Sequence, residues 1–228
     1  ASKVFLMPGT YAGHFDLTGK TMTIEAADGA DPVIEGMVWA DNCNVTLKGL
    51  TLTNPAGVQH PNPTNSQYYA SINSQYPLVG AYNNADIKFV DCIMNLTGPT
   101  VYGFYGYAHN TPVFEGCTFN CNKIRPIANN GDSITVTGCT FVDQYHYSVR
   151  IFENNGERQT VVYTGNIVKG TNDKGEFVSV EDTFNSDAGL AAMKGMQILA
   201  KSPAYDSNAD IFTDAVAIVT GTWNSKAA

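Results

Sequence analysis

Apolar residues alternate with polar ones in short blocks along this chain, and the blocks align with one another. The clearest set is Met22-Thr23-Ile24-Glu25-Ala26-Ala27, Val45-Thr46-Leu47-Lys48-Gly49-Leu50-Thr51-Leu52 and Ile87-Lys88-Phe89-Val90-Asp91-Cys92-Ile93-Met94. It continues as Pro112-Val113-Phe114-Glu115-Gly116-Cys117-Thr118-Phe119, Ile134-Thr135-Val136-Thr137-Gly138-Cys139-Thr140-Phe141 and Val161-Val162-Tyr163-Thr164-Gly165-Asn166-Ile167-Val168. The shared position (Ala26, Gly49, Asp91, Gly116, Gly138, Gly165) recurs at steps of 23, 42, 25, 22 and 27 residues. Period-two strands repeating in the low twenties are what one rung of a parallel β-solenoid requires, whereas helical repeats are longer and carry a 3.6-residue periodicity. Equivalent residues of successive rungs then lie roughly 4.8 Å apart, so Leu50, Cys92, Cys117, Cys139 and Asn166 are expected to form an interior ladder.

A second strand precedes each block: Met37–Asn42, Val79–Asn84, Phe104–His109, Pro126–Gly131 and Val149–Asn155. The Asn, Asp and Gly residues near their ends suit corners, because they tolerate left-handed backbone angles and bond to nearby main chain. The opening residues Val4-Phe5-Leu6-Met7-Pro8-Gly9-Thr10-Tyr11, followed by Leu17-Thr18-Gly19-Lys20-Thr21-Met22-Thr23-Ile24 and Pro32-Val33-Ile34-Glu35-Gly36, resemble the first rungs of the pectin-lyase-like right-handed parallel β-helix superfamily. The likeness runs over about residues 3 to 180 and concerns fold, not activity. The expected architecture is therefore all-β: a right-handed single-stranded parallel β-helix of about seven rungs over residues 1–182, with a long inserted loop at about 55–77. Residues 183–228 are expected to form a small α+β cap, not an independent domain. Within it Asn185–Lys201 has apolar residues at helical spacing behind an N-cap choice, and Asp210–Trp223 reads as one or two strands. Such a cap would cover unpaired strand edges.

Composition narrows the function classes. The 228 residues include 21 Asp+Glu against 13 Lys+Arg, a net charge of −8, with 15% charged and 43% hydrophobic residues. That balance excludes a disordered chain. With no Lys/Arg cluster there is no footprint for phosphates, so no nucleic-acid partner is expected. No apolar run reaches the length of a membrane span, and the apolar part of the start, Ala1–Pro8, is too short for a signal peptide, so no membrane partner is expected either. The five cysteines (Cys43, Cys92, Cys117, Cys121, Cys139) include no CxxC pair. A reduced Cys is small, apolar and often buried, and thiols held parallel at strand spacing approach each other poorly for a disulfide; the ladder is read as packing.

The superfamily resemblance implies a search for polysaccharide chemistry. Asp91, Asp143 and Glu153 are the nearest carboxylates to a hydrolytic pair, but Asp91 stands where other rungs have the corner glycine. Asn54–Gly57, Pro77–Ala81 and Pro112–Cys117 are loosely similar to stretches of pectin methylesterases, whose QDT and DFIFG motifs are missing here. Tyr102–His109 resembles the YGFDPH pattern of mannuronan epimerases without its Asp or its Pro-His. The remaining cluster, Asp143–Arg150, contains weak catalytic candidates, His146, Tyr147 (or Tyr145) and Arg150, which suit a base, a proton donor and a cation for a lyase or epimerase, or else decorate a corner. No metal ligand set and no cofactor is expected.

For binding, Tyr82, Tyr107 and Asn129 are expected in one outward column and Tyr105 with Ile127 in another. Tyr68, Tyr69 and Tyr76 stand in the long loop, and such rings suit sugars or protein surfaces, or lie under the loop itself. The expected function is a non-enzymatic β-helix structural or attachment protein, a bacteriophage virion surface component such as a capsid decoration, fibre or tail protein. Its partners would be other protein subunits, as a homo-oligomer or among virion proteins. The alternative is a carbohydrate-active enzyme (polysaccharide lyase or epimerase) or a glycan-binding module, with a polysaccharide as partner. The location is the virion, or otherwise the extracellular space.

Overall fold

The computed structural model describes residues 2–61, 76–145, 148–150 and 162–169, together with the backbone of residues 151–153 and 160–161 and of the strands Val178–Asp182, Ala204–Asp206, Ile211–Thr213 and Gly221–Thr222. The expected helix at Asn185–Lys201 and most of the inserted loop lie outside the described residues.

The chain winds into a parallel β-solenoid of about six turns, with three strands to a turn. The first sheet stacks Ser2–Leu6, Thr21–Ala26, Asn44–Lys48, Asp86–Val90, Val113–Glu115, Ser133–Thr137 and Thr160–Thr164, all parallel. The second stacks Thr10–Ala12, Val33–Glu35, Thr51–Thr53, Ile93–Asn95, Thr118–Asn120, Thr140–Val142 and Ile167–Lys169. The third runs Phe15–Asp16, Val38–Asp41, Pro77–Tyr82, Tyr102–Tyr107, Arg125–Asn130, Val149–Glu153 and Val178–Asp182. At the C-terminal end the order turns antiparallel: Gly221–Thr222 pairs with Thr160–Thr164, and Ile211–Thr213 joins Ile167–Lys169 to Ala204–Asp206.

Each aligned sequence block from Val45 onward holds two strands, whereas Met22–Ala27 falls on the single strand Thr21–Ala26. The shared glycine makes the corner between the first and second sheets, with φ of 65° at Gly49, 63° at Gly116 and Gly138, and 65° at Gly165. Asp91 takes the same left-handed conformation at φ 51°, which Asp tolerates better than most side chains, so its role is structural. The corners after the third-sheet strands Val38–Asp41 and Pro77–Tyr82 use Asn as expected, at Asn42, Asn83 and Asn84, each with positive φ, but the corner after Tyr102–Tyr107 places Ala108 and His109 there, at φ 52° and 48°.

Directly after each corner the predicted ladder runs through the interior. Leu50, Cys92, Cys117, Cys139 and Asn166 are all buried. The thiols of Cys92, Cys117 and Cys139 point at the carbonyls of Leu47, Phe89 and Phe114 one rung earlier, at 3.4, 3.6 and 3.6 Å. Asn166 ends the series with a stronger version of the same contact: its Nδ2 donates to the Val136 carbonyl at 3.0 Å and its Oδ1 accepts from the Cys139 amide at 2.8 Å. All five cysteines are free and buried. The neighbouring Cys139 thiol, with burial, pushes the Cys117 thiol up to about 12. Burial likewise pushes the Cys43 thiol up to about 12, so neither is a thiolate near neutral pH.

Aromatic rings stack beside the ladder along the same axis. Phe89 and Phe114 lie face to face at 4.9 Å, and Phe119 and Phe141 at 4.8 Å, with Phe104 meeting Phe114 edge-on at 5.4 Å. On the outside of the first sheet the register is marked by charge: Glu25 bridges Lys3 and Lys48 at 2.6 and 2.8 Å, and Lys88 meets Glu115 at 2.8 Å.

Candidate functional site

The three sheets differ in what their outer faces do. First-sheet strands such as Ser133–Thr137 alternate buried and partly exposed residues, as a sheet with one wet face must. Third-sheet strands do not: Val38–Ala40, Pro77–Ala81 and Pro126–Asn129 are buried without a break. Inward positions are filled by Val38, Val79, Phe104, Ile127 and Val149, which pair in register across the sheet. The outer positions must therefore be covered from outside, and this face is where the candidate residues gather.

Two expected columns need correction by one residue. Tyr82 and Tyr107 are paired as expected, but the next member is Asn130, not Asn129. Tyr105 continues into Ala128 and Arg150, while Ile127 faces the core behind Phe104. The physical reason is that Asn129 is not a corner residue. It is fully buried inside the coil, with its Nδ2 donating to the Ser133 carbonyl at 3.0 Å.

The start of the long excursion lies on this outer face, the covering role that sequence had set against a role in binding. Met37 and Trp39 are buried there and form a small cluster of their own against Tyr82, Tyr105 and Tyr107. The His60 ring stacks on Trp39 at 5.7 Å, and its backbone amide donates to the Met37 sulfur at 3.3 Å. His60 Nε2 reaches the Asp16 carboxylate at 3.3 Å, and His14 packs edge-on against the same ring at 5.1 Å. Burial alone would raise the Asp16 carboxyl, but hydrogen bonds from Thr18 and the nearby His60 outweigh it and hold the group below its ordinary range. The sequence reading passed over this arrangement, because no single segment contains it.

Of the catalytic candidates, His146 and Tyr147 lie outside the described residues, as do Tyr68 and Tyr69. Arg150 is tied down: its guanidinium donates to the Tyr102 hydroxyl at 2.6 Å. Ser148 donates to Gln144 Oε1 at 2.6 Å and accepts from the Tyr163 hydroxyl at 3.0 Å, all three being buried. Asp143 is itself at a left-handed bend, with φ 51°. Burial, with Tyr102 beside it, raises the Tyr105 hydroxyl, which stays protonated at neutral pH. Among the described residues no group of three His, Cys, Asp or Glu side chains could hold a metal ion. A concavity of about 380 Å³ at the corner of the first and second sheets is lined by Glu25, Asp28, Asp31, Asp91 and Lys48, and Glu25 is already held by its lysines.

The corner leading into the third sheet carries a different set. Tyr102 pairs in register with Arg125 on the next rung. The Arg125 guanidinium sits 5.5 Å from the Tyr102 ring centre and 5.2 Å from that of Tyr145. Tyr102 is buried, Arg125 is half-buried, and the two flanking rings Tyr76 and Tyr145 are exposed at 41% and 37%. No family model, curated protein or solved structure matches this chain.

Proposed function

We propose that the protein is a non-enzymatic attachment or structural protein, a rigid coil that presents the corner before its third sheet to other protein subunits. One observation carries this reading: the groups that sequence offered for chemistry are, where described, occupied in holding the coil together. Arg150 bonds Tyr102, Asp91 and Asp143 form bends, and the thiols line the interior. A coil of this kind, with each rung braced by its neighbours, keeps a surface in fixed geometry over a long span. A bacteriophage virion surface is the setting proposed for it, on the likeness of its Asn-, Thr- and Gly-rich rungs to phage-associated β-helix proteins. Glycan binding is the second reading, favoured by the exposed rings of Tyr76 and Tyr145.

Labelled protein is expected to sediment saturably with virions or cell envelopes of its source, competed by unlabelled protein. Pectate, alginate and related polymers, with or without calcium, are expected to give no unsaturated product. Robust depolymerisation that a single outward-facing substitution abolishes would overturn the reading.

A further inference from the structure

We infer that the corner around Arg125 is the anchor point of a protein interface and takes a carboxylate-bearing, extended segment of the partner. The inference rests on the attachment reading and gives it a location and a partner chemistry.

Arg125 is the starting point. Its guanidinium lies between the Tyr102 and Tyr145 rings, which fix its plane, and its Nε is buried without a hydrogen-bond partner. No carboxylate among the described residues pairs with it, although the chain carries 21 Asp+Glu. Every lysine that pairs among the described residues does so on the first sheet, through Glu25 or Glu115. A half-buried guanidinium held flat by aromatic faces has its outward N–H donors set in a fork matching a carboxylate, and stacking limits the entropy lost on binding. A second cation, exposed Lys123, precedes it at the same corner. Arg150 on the Tyr102 hydroxyl adds a third cation, against one carboxylate, that of Asp143, whose carbonyl accepts from the Lys123 amide, so the corner favours an anionic partner on a chain of net −8.

The surroundings favour a protein partner. Tyr and Arg are the residue types that concentrate binding energy at protein interfaces, with buried anchors surrounded by partly exposed rings. Here Arg125 is the anchor still open to a partner, Tyr102 is already buried against it with its hydroxyl accepting from Arg150, and Tyr76 and Tyr145 are the exposed rings. The Val101 amide donates to the Tyr76 carbonyl and the Tyr145 amide to the Ile124 carbonyl, so these residues follow the rung-to-rung stack along the coil axis. Three rung spacings give a strip of roughly 14 Å. An extended peptide of about four residues spans that length, enough for one acidic side chain on Arg125 and apolar neighbours against the two tyrosines.

The test is the anisotropy of a fluorescent, end-blocked peptide with one glutamate flanked by leucines, titrated with the full chain, and with oligogalacturonate as the glycan arm. Saturable peptide binding is expected, weakened about tenfold by Arg125→Gln, a typical loss for an interface anchor. Arg125→Lys, which keeps the charge and loses the planar fork, is expected to recover only part of it. Tyr145→Ala, at an exposed ring outside the core, gives a second reading that does not depend on the folding of the arginine variants, with an expected loss of about threefold. Lys20→Gln, at an exposed cation elsewhere, should leave binding unchanged. Peptide binding that ignores Arg125, or that falls equally with Lys20→Gln, overturns the inference. Arg125-dependent binding of oligogalacturonate without the peptide overturns the protein partner and makes the ligand an acidic glycan. Saturable attachment to virions or envelopes that survives Arg125→Gln defeats this inference alone and leaves the attachment reading standing.

Discussion

Asn166→Ala is expected to lower the free energy of unfolding by about 1–3 kcal/mol, since it strands the buried Cys139 amide and takes the second hydrogen bond from the Val136 carbonyl. The side chain is almost fully buried, and it alone satisfies the ladder at this rung from both directions, with one bond to the Cys139 amide and one to the Val136 carbonyl. Removing it leaves the Cys139 amide as a buried donor without its acceptor, while the Val136 carbonyl keeps its bond to the next strand. The neighbouring rungs indicate a graded control. A thiol at the equivalent position reaches the carbonyl one rung back, as Cys139 does with Phe114, but offers the amide little. Asn166→Cys is therefore expected to fall between the wild type and Asn166→Ala, recovering about 1 kcal/mol. Chemical denaturation of the three proteins, followed by circular dichroism, reads the order. Equal loss in both variants would mean that the amide bond alone matters, and no loss in either would mean that Asn166 does not face the interior.

The second large effect belongs to the ring stack. Phe119 is fully buried, lies face to face with Phe141 at 4.8 Å and tilts against Phe114 at 5.6 Å. Phe119→Ala is expected to cost about 3–5 kcal/mol, the loss of a large apolar side chain plus the cavity it leaves. Each rung contacts only its neighbours, so the damage is also expected to weaken coupling along the coil. The unfolding transition should broaden, because stability in such an array is a sum of rung and interface contributions. Phe5→Ala is the control. Phe5 is 56% exposed on the first strand, and its removal is expected to change stability by no more than about 0.5 kcal/mol. A narrow transition for Phe119→Ala with the wild-type slope would argue that the coil unfolds as one indivisible unit.

The parts of this fold legible in the sequence are those where one physical demand repeats in every rung. The left-handed corner admits Gly, or Asp at position 91, and the cramped position after it admits small residues, so Gly-Cys recurs and sets the register of the first two sheets. The third sheet was misread by one residue because Asn129 and Asn130 look alike as corner residues. Only the structure distinguishes the buried Asn129, bonded to Ser133, from Asn130 beside Tyr107. Its covered outer face was not legible at all, since alternation reports a half-buried strand and says nothing of a segment that returns from twenty residues away. Trp39 under His60, and His60 against Asp16, are contacts of that kind.

The candidate site was legible in part. Tyr76 and Arg150 were singled out as residues, but not the corner that Tyr76 shares with Tyr102, Arg125 and Tyr145. Arg125 was missed, and a signal for it existed. Placing the third-sheet strands in their true register sets Tyr102 directly over Arg125, and an arginine stacked rung-on-rung with a tyrosine is a recognisable pairing. The expected column of Tyr105 with Ile127 concealed it by shifting the neighbouring strand.

The account depends above all on the interior ladder and the register it fixes. Selective labelling of the cysteines in the native protein, with nuclear Overhauser contacts read between their side chains, tests it directly. The prediction is five reduced cysteines, with contacts from Cys92 to Cys117 and from Cys117 to Cys139, and none between Cys92 and Cys139, which lie two rungs apart. A direct Cys92–Cys139 contact, or oxidised cysteines in the folded protein, would contradict it.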